Sequence, residues 1–456
     1  MPGVIDDRRA RRATAALVLI LAALFSGLVV WSVQTDQGND FAVYYLAGKL
    51  YADGSDPYLV ARPDWDRLAV REGVGHWEWP YRYPPPTAGL TRLLLPLGPR
   101  GAAVAWGILS AAALIGGALL LARTLGGGAR TPAALLTLLF WYPAYHTLQV
   151  GQVNAFVFAA LVLALWALTR RRFALGGAAL ALGVALKITP LAVVAYLAWQ
   201  RRWRSLFAAA VALAALVVVL LPLTGLDTYG AYAGKALELT RNKDVLLSPG
   251  IDGVRTFLGR LLLPHTTNTD SPGGAFVARL ALGVIARLVC VSAAALWRPR
   301  RHSGAAAADA DASADADAAA LPFDFSLVVA LSLVIAPFTF FHQYVLLLIP
   351  LMVVGCHLWS QRRRGLLAFV VALAFGVDIN QAVWVAAHPY IVEHGLWRLF
   401  SLPFLLAMTL WALCCLEAWR IRRRSPRHRS AHEGEAEALC AEGGRKSTDP
   451  SARSGQ

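Results

Sequence analysis

A carboxylate, a lysine, two amides and a histidine stand at the ends of long apolar runs in this chain, where water is scarce and charge is costly. Asp40 lies in Asp36-Gln37-Gly38-Asn39-Asp40-Phe41-Ala42-Val43-Tyr44-Tyr45-Leu46-Ala47-Gly48, just past an apolar stretch. A carboxylate beside aromatics and an apolar run can be partly desolvated, which raises its basicity and suits it to take a proton from a hydroxyl. Asp40 could equally cap a helix, since Asp is a good N-cap. Asp36 has the weaker case, being nearer a turn. Lys187, in Leu186-Lys187-Ile188-Thr189-Pro190, is the one lysine inside an apolar run. A charge at the bilayer centre costs about 2.5–3.5 kcal/mol, so such a residue faces a cavity or a partner, or snorkels to the membrane face. Phosphate is a natural ligand for it.

Gly151-Gln152-Val153-Asn154 offers two amides beside a glycine, able to bind hydroxyls or to cap a helix. Gly54-Ser55-Asp56-Pro57-Tyr58 and Tyr81-Arg82-Tyr83-Pro84-Pro85-Pro86 have the composition of rigid turns, in which Asp56, Arg82 and Tyr83 are either loop scaffolding or ligand contacts. Arg82 could pair with a phosphate. His342, in Phe340-Phe341-His342-Gln343-Tyr344, is either structural or a substrate contact. Some chemistry is unsupported: the chain has no P-loop, no nucleotide-binding glycine fingerprint after a strand and no H-E-x-x-H. Its five cysteines contain no C-x-x-C, which argues against a disulfide framework or a zinc site.

The elements that carry these residues follow from composition. Of 456 residues, 57% are hydrophobic and 16% charged, and the mean hydropathy is +0.51. A soluble domain carries roughly 25% charged residues and has too little interior for this much apolar surface. The chain therefore reads as an all-α polytopic membrane protein. Apolar runs fall at about 14–33, 102–122, 131–148, 153–169, 173–187, 189–200, 204–223, 276–297, 321–338, 343–360, 365–385 and 396–419. The runs at 173–187 and 189–200 are short, and Pro190 between them favours a break, so they read as two short or broken helices lining a cavity. The first run is read as an uncleaved anchor, being long for a signal peptide.

The net charge of +15, from 43 Lys and Arg against 28 Asp and Glu, would suggest nucleic acid in a soluble protein. Here the arginines mark topology. With Arg8 to Arg12 in the cytoplasm, parity puts Arg123/Arg130, Arg170 to Arg172, Arg201 to Arg204, Arg298 to Arg301, Arg362 to Arg364 and the tail from Arg420 on the same side. The segments 34–101, 149–154, 224–275 and 388–395 then lie outside, and Asp40, Gln152, Asn154, Lys187 and His342 share that face. The stretch 304–320 is almost all Ala and Asp and reads as a flexible cytoplasmic linker; 421–456 reads as a disordered cytoplasmic tail.

These residues, in this order, resemble glycosyltransferase family 87. The opening motif lies in Asp40 to Gly48 with Gly54 to Tyr58, and includes Tyr44 and Asp56. A Tyr-Pro-Pro element follows at Tyr83 to Pro86, two middle motifs at Gly151 to Asn154 and Leu186 to Pro190, and a late histidine element between Pro337 and Tyr344. The similarity spans about 15–420, with 1–13 as a cytoplasmic N-terminus. It implies a GT-C-like fold of about twelve transmembrane or partly re-entrant helices with two long extracytoplasmic loops, 34–101 and 224–275. It also implies a plasma-membrane enzyme that moves a sugar, with mannose expected, from a polyprenyl-phosphate donor to a lipid-linked or cell-envelope glycan acceptor, with inversion and with neither metal nor other cofactor. The family's catalytic carboxylate falls on Asp40, its middle lysine on Lys187 and its late histidine on His342. Donor-phosphate or substrate contacts are expected from Arg82, Tyr83, Gln152, Asn154, Tyr44 and Asp56.

The chain departs from the family where the late element has one histidine, with Gln343 after it, and where the second long loop reads Leu247 to Gly253 in place of Asn-Gln-Ser. An arabinofuranosyltransferase of the same fold, a transporter or lipid flippase, and an inactive assembly factor are the competing readings. A topology reporter fused within 304–320 is expected to report a cytoplasmic location. An external signal there would overturn the shared face of the five residues.

Overall fold

The computed structural model describes residues 7–35, 39–74, 81–241, 251–263, 272–297, 307–394, 396 and 401–423. Apart from one two-residue strand pair, the regular structure is helical, with eighteen α-helices among the described residues. Trp77 and Trp79, whose amphipathic rings suit a membrane–water interface, the Leu247 to Gly250 stretch and the polar tail lie outside the described residues.

Every apolar run forms helix. The first is α1 (Asp7–Gln34) and the second α5 (Gly98–Thr124). The run at 131–148 is a correction: it forms two helices, α6 (Arg130–Leu139) and α7 (Tyr142–Gln149). Trp141 between them is extended, and Pro143 opens α7, where its missing N–H costs nothing. Next come α8 (Asn154–Thr169), α9 (Phe173–Leu186), α10 (Leu191–Trp199) and α11 (Trp203–Thr224). The break between α9 and α10 is where Pro190 suggested it, with Lys187 in extended backbone. The C-terminal half holds α14 (Pro272–Ala295), α15 (Ala307–Ile335), α16 (Leu348–Ser360), α17 (Arg364–Glu393) and α18 (Leu402–Arg423).

Among the described residues eight helical stretches are long and apolar enough to cross a membrane, so the protein is polytopic; about twelve transmembrane or partly re-entrant helices were expected. The helix α8 has 16 residues and α9 has 14. At 1.5 Å per residue they reach roughly 24 and 21 Å, short of a 30 Å hydrocarbon core. Large apolar side chains such as Phe207, Val218 and Val219 on α11 face outward, as a lipid-facing surface requires.

Two further expectations change. The Ala/Asp stretch, expected as a flexible linker, is helical from Ala307 and runs into α15. Alanine is the strongest helix former, and the apolar helix that follows supplies the nucleus. Residues 388–395, expected as an outer loop, continue α17 to Glu393 past a non-helical Ala387. Pro389 lacks the N–H that would continue the ladder, so the helix kinks there without stopping.

Both long loops are folded. The first carries α2 (Asn39–Ala52), α3 (Arg62–Glu72) and α4 (Pro85–Arg92). The second carries α12 (Asp227–Arg241), β1 (Ile251–Asp252) and α13 (Val254–Leu262). Phe41, Val43, Tyr44, Leu46 and Ala47 of α2 are buried, so this helix is core despite its place in a loop. It packs on α4, where Gly48 allows close approach: a Cβ there would sit 2.9 Å from the Arg92 amide nitrogen. The Thr91 hydroxyl donates to the Tyr44 carbonyl at 2.8 Å. Arg92 donates to the Leu223 carbonyl at 2.6 Å, fastening α4 to the end of α11.

Three tight turns repeat one device. Arg171, Arg201 and Arg362 each take positive φ, at 57°, 54° and 55°, after α8, α10 and α16. In each turn the following amide reaches back five residues: Arg172 to Ala167, Arg202 to Leu197 and Arg363 to Leu358. Glycine usually fills this left-handed position, and an L-residue there costs about 1 kcal/mol or more. Here each such turn carries a positive charge in its place.

Candidate active site

The site is built where α2 meets the turn between α7 and α8. Gly151 in that turn has φ +70, and a Cβ there would fall 2.6 Å from the Phe41 Cβ, so only glycine lets the two approach. The Val150 carbonyl beside it accepts the Asp40 amide at 3.0 Å and the Phe41 amide at 3.2 Å. Those first-turn amides have no partner within the helix. Trp106 on α5 fixes the turn from below, its indole N–H donating to the Gly151 carbonyl at 2.8 Å. Asp40 is the second residue of α2, in its first turn. Its side chain is partly buried and lies within electrostatic reach of Tyr44 and Lys187.

A chain of hydrogen bonds runs behind it. The Tyr44 hydroxyl donates to Gln152 Oε1 at 3.0 Å, and Gln152 Nε2 donates to the Tyr83 hydroxyl at 2.7 Å. Burial pushes the Tyr44 phenol well above its ordinary range, and the neighbouring Tyr83 and Asp40 add to the shift, so it stays protonated as the donor. The Tyr44 and Tyr83 rings meet edge to face at 4.6 Å. Lys187 Nζ donates to Asn154 Oδ1 at 2.9 Å and stands 5.7 Å from the centre of the Tyr83 ring. The Thr87 hydroxyl of α4 donates to the Leu186 carbonyl at 2.9 Å, holding the broken end of α9 in place. Gln152 and Asn154 are wholly buried, whereas Asp40, Tyr83 and Lys187 are partly exposed.

The late element enters from the C-terminal half. The strand β2 (Thr339–Phe340) pairs antiparallel with β1, with Asp252 opposite Thr339, and leads into the 3-10 turn Phe341–Leu347 that bears His342. The Thr147 hydroxyl of α7 donates to the His342 carbonyl at 3.0 Å. His342 is 6% exposed, and Lys187 acts on it electrostatically. Asp40, Tyr44, Tyr83, Gln152, Asn154, Lys187 and His342 are thus brought together. Asp56 and Arg82 are not. Asp56 Oδ1 accepts the Tyr58 amide at 2.9 Å, closing its own turn, and Tyr58 in turn donates to the Tyr83 carbonyl, so Asp56 reaches the site only through scaffolding. Arg82 is exposed, and no hydrogen bond or ion pair joins it to another described residue. Among the described residues no three His, Cys, Asp or Glu side chains gather as metal ligands.

Two features escaped the sequence reading. His146 on α7 stacks on His342, with ring centres 5.8 Å apart. It is a histidine in an apolar run, the same signal that singled out Lys187. The other feature is a buried ion pair under the strand pair. Arg260 of α13 donates to Asp252 Oδ1 at 2.9 Å and to Ser401 Oγ at 3.1 Å, and it also donates to the Ile251 carbonyl at 2.6 Å. Arg260 and Asp252 are 2% and 1% exposed. Nothing in one sequence pairs residues of a polar loop.

Comparison with known proteins supports the resemblance. The model of glycosyltransferase family 87 matches residues 81–314, which include Tyr83, Gln152, Asn154 and Lys187. A polyprenol-phosphate-mannose-dependent α-(1-2)-phosphatidylinositol pentamannoside mannosyltransferase of Mycobacterium tuberculosis (strain CDC 1551 / Oshkosh) is 29% identical over 204 residues. That alignment covers 42% of this chain and 44% of the relative, so it spans less than half of either protein. No solved structure matches.

The ion pair beneath β1 and β2 offers a direct test. Removing one partner of a buried pair strands the other charge and costs about 3–5 kcal/mol. Arg260→Ala is expected to lower the thermal unfolding midpoint sharply. Adding Asp252→Ala is expected to recover part of the loss, and strict additivity of the two changes would show that the residues do not act as a pair.

Proposed function

This chain belongs to glycosyltransferase family 87, and from that premise we propose that it transfers a sugar from a polyprenyl-phosphate donor to a hydroxyl of a lipid-linked or cell-envelope glycan acceptor on the extracytoplasmic face. The observation that carries the reading is the placing of Lys187, held by Asn154 at 2.9 Å beside Tyr83 and within the field of Asp40. A cation and a carboxylate lie within each other's field, as a reaction that expels a phosphate and deprotonates a hydroxyl requires. The relative's dependence on polyprenol-phosphate-mannose makes mannose the proposed sugar.

In the proposed step the acceptor hydroxyl attacks the anomeric carbon from the face opposite the phosphate. The new glycosidic C–O bond forms as the bond to the phosphate oxygen breaks, which inverts the anomeric centre. The acceptor proton passes to the Asp40 carboxylate. The electron pair of the broken bond leaves on the polyprenyl phosphate, which departs as an anion and needs no strong acid. Lys187 stabilises that charge as it develops, in a setting of low dielectric where the contact counts for most. Asn154 keeps the ammonium aimed, and the Tyr44–Gln152–Tyr83 chain fixes the wall against which the sugar lies. The GT-C-like fold and the placing of both termini in the cytoplasm belong to the same proposal. The topology is supported by the arginine turns after α8, α10 and α16, which positive-inside bias puts on one face.

The test is Asp40→Asn, assayed with purified protein, polyprenyl-phosphate mannose and a membrane lipid acceptor. An amide keeps the shape of the carboxylate and one acceptor oxygen but has no useful proton affinity, and general-base catalysis is worth roughly 10²–10⁴-fold. Turnover is expected to fall by at least a hundredfold while expression and donor binding stay close to those of the wild type. Transfer near the wild-type rate would remove Asp40 as the base. A wild-type protein that moves substrate across the membrane but transfers no sugar would favour a transporter.

A further inference from the structure

Three buried polar atoms, on Asn154, on His342 and on the histidine stacked against His342, have no hydrogen-bond partner: Asn154 Nδ2, His342 Nε2 and His146 Nδ1. Buried polar groups are nearly always paired, so each is a candidate contact for something that enters the site. Asn154 is wholly buried and His342 is 6% exposed, and neither can turn to bulk water for its missing bond. Two of the three belong to residues already placed in the site. The third belongs to His146, which neither the proposed mechanism nor the family motifs use.

His146 sits five residues before Gly151, on the short helix that Pro143 opens. Its ring lies nearly parallel to that of His342, 5.8 Å away at 23°, and nearly parallel to that of Tyr142 on its own helix, at 6.1 Å. Phe341 meets it edge-on at 5.8 Å. The stack fixes the plane of the ring but engages neither nitrogen, and no hydrogen bond ties either one to another described residue. A half-turn about χ2 puts each nitrogen where a ring carbon stood, so the stack leaves two orientations in which a nitrogen can meet a ligand. His146 is also partly exposed, like Asp40, Tyr83 and Lys187, whereas its neighbours Ala144, Thr147 and Leu148 are buried. The late element of this chain has a single histidine followed by Gln343, and the fold brings a second imidazole to that histidine from another helix.

We propose that His146 is a ligand-contacting residue of this site, its imidazole joining the imidazole of His342, the ammonium of Lys187 and the amide of Asn154 in holding the phosphate of the glycosyl donor. The chemistry of the set selects the ligand. An ammonium with donors to spare, an amide NH₂ and two imidazoles present N–H groups in excess over acceptors, which suits phosphate oxygens better than sugar hydroxyls. The inference rests on the reading of the site as one that receives a phosphate-linked sugar, and it adds a residue that the sequence motifs leave out.

The experiment measures binding of a short-chain polyprenyl monophosphate, and of the matching alcohol, to the purified full-length protein in nanodiscs. His146→Phe keeps a flat ring for stacking and removes both nitrogens. His146→Gln abandons the stack and keeps a donor. A phosphate contact predicts that His146→Phe weakens binding of the phosphate by about tenfold or more, leaves the alcohol unchanged, and is partly rescued in His146→Gln. A purely structural histidine predicts the reverse order, with Phe tolerated and Gln damaging. Melting curves check folding; if the Phe variant does not fold, His146→Leu lacks the same nitrogens and is held to the same tenfold criterion.

Phosphate binding within twofold of wild type, or equal losses for phosphate and alcohol, overturns the proposal, as does a wild type that does not distinguish the two lipids. Asp40→Asn run in parallel separates this result from the transfer reading. Asp40-dependent transfer with His146-independent phosphate binding sinks the present inference alone. His146-dependent phosphate binding without sugar transfer from any polyprenyl-phosphate donor sinks the transfer reading alone.

Discussion

An ammonium set among apolar helices must be given an oxygen, and Asn154 gives one to Lys187 at 2.9 Å. Much of the surrounding structure follows from that need. The helix carrying the lysine has to end so that the side chain can leave it, and Pro190 and the extended backbone at Lys187 end it. Asn154 has to stand at the start of the next helix inward, and the turn at Gly151 puts it there. Asp40 has to come close enough to be felt, and the Val150 carbonyl draws the first turn of α2 against the same loop. A charged group left without these neighbours would cost several kcal/mol at this depth.

The two halves of the molecule contribute differently. The N-terminal half, with its short helices α7 to α10 and the folded first loop, supplies the carboxylate, the amides and the lysine. The C-terminal half supplies the histidine, through a strand pair and an ion pair that together hold the segment ahead of His342. Thr147 and the His146 stack are among the contacts that join the halves at the site. The family match at residues 81–314 covers the middle of this assembly and reaches neither Asp40 nor His342. What joins those two residues to the rest of the site is geometry.

Much of the site was legible in the sequence because membranes make polar residues conspicuous. Asp40, Lys187 and His342 each stand out against an apolar background, and Gln152 and Asn154 flank a break that parity placed on the same face. Asp56 and Arg82 stood out for their turns and proved to lie outside the cluster, because a Pro-rich turn is as readable when it only supports a site as when it lines one. The Arg260–Asp252 pair was not legible, since its partners are fixed by a strand register that no local pattern encodes. Helix lengths were read less well than helix positions. The run at 131–148 is continuous in hydropathy, and only Pro143 hints that it is two helices. The Ala/Asp stretch looked like a linker by its lack of bulky residues, yet alanine needs none to form helix once a neighbour has nucleated it.

The central claim is that Lys187 and Asn154 form the seat of the donor phosphate, with Asp40 across the reacting carbon. The most direct test is a structure with a non-transferable donor bound, a polyprenyl phosphonate in which carbon replaces the glycosidic oxygen. The account predicts a phosphonate oxygen about 2.8 Å from Lys187 Nζ and the anomeric carbon between it and the Asp40 carboxylate. A phosphonate bound elsewhere, with Lys187 still turned only to Asn154, would contradict it.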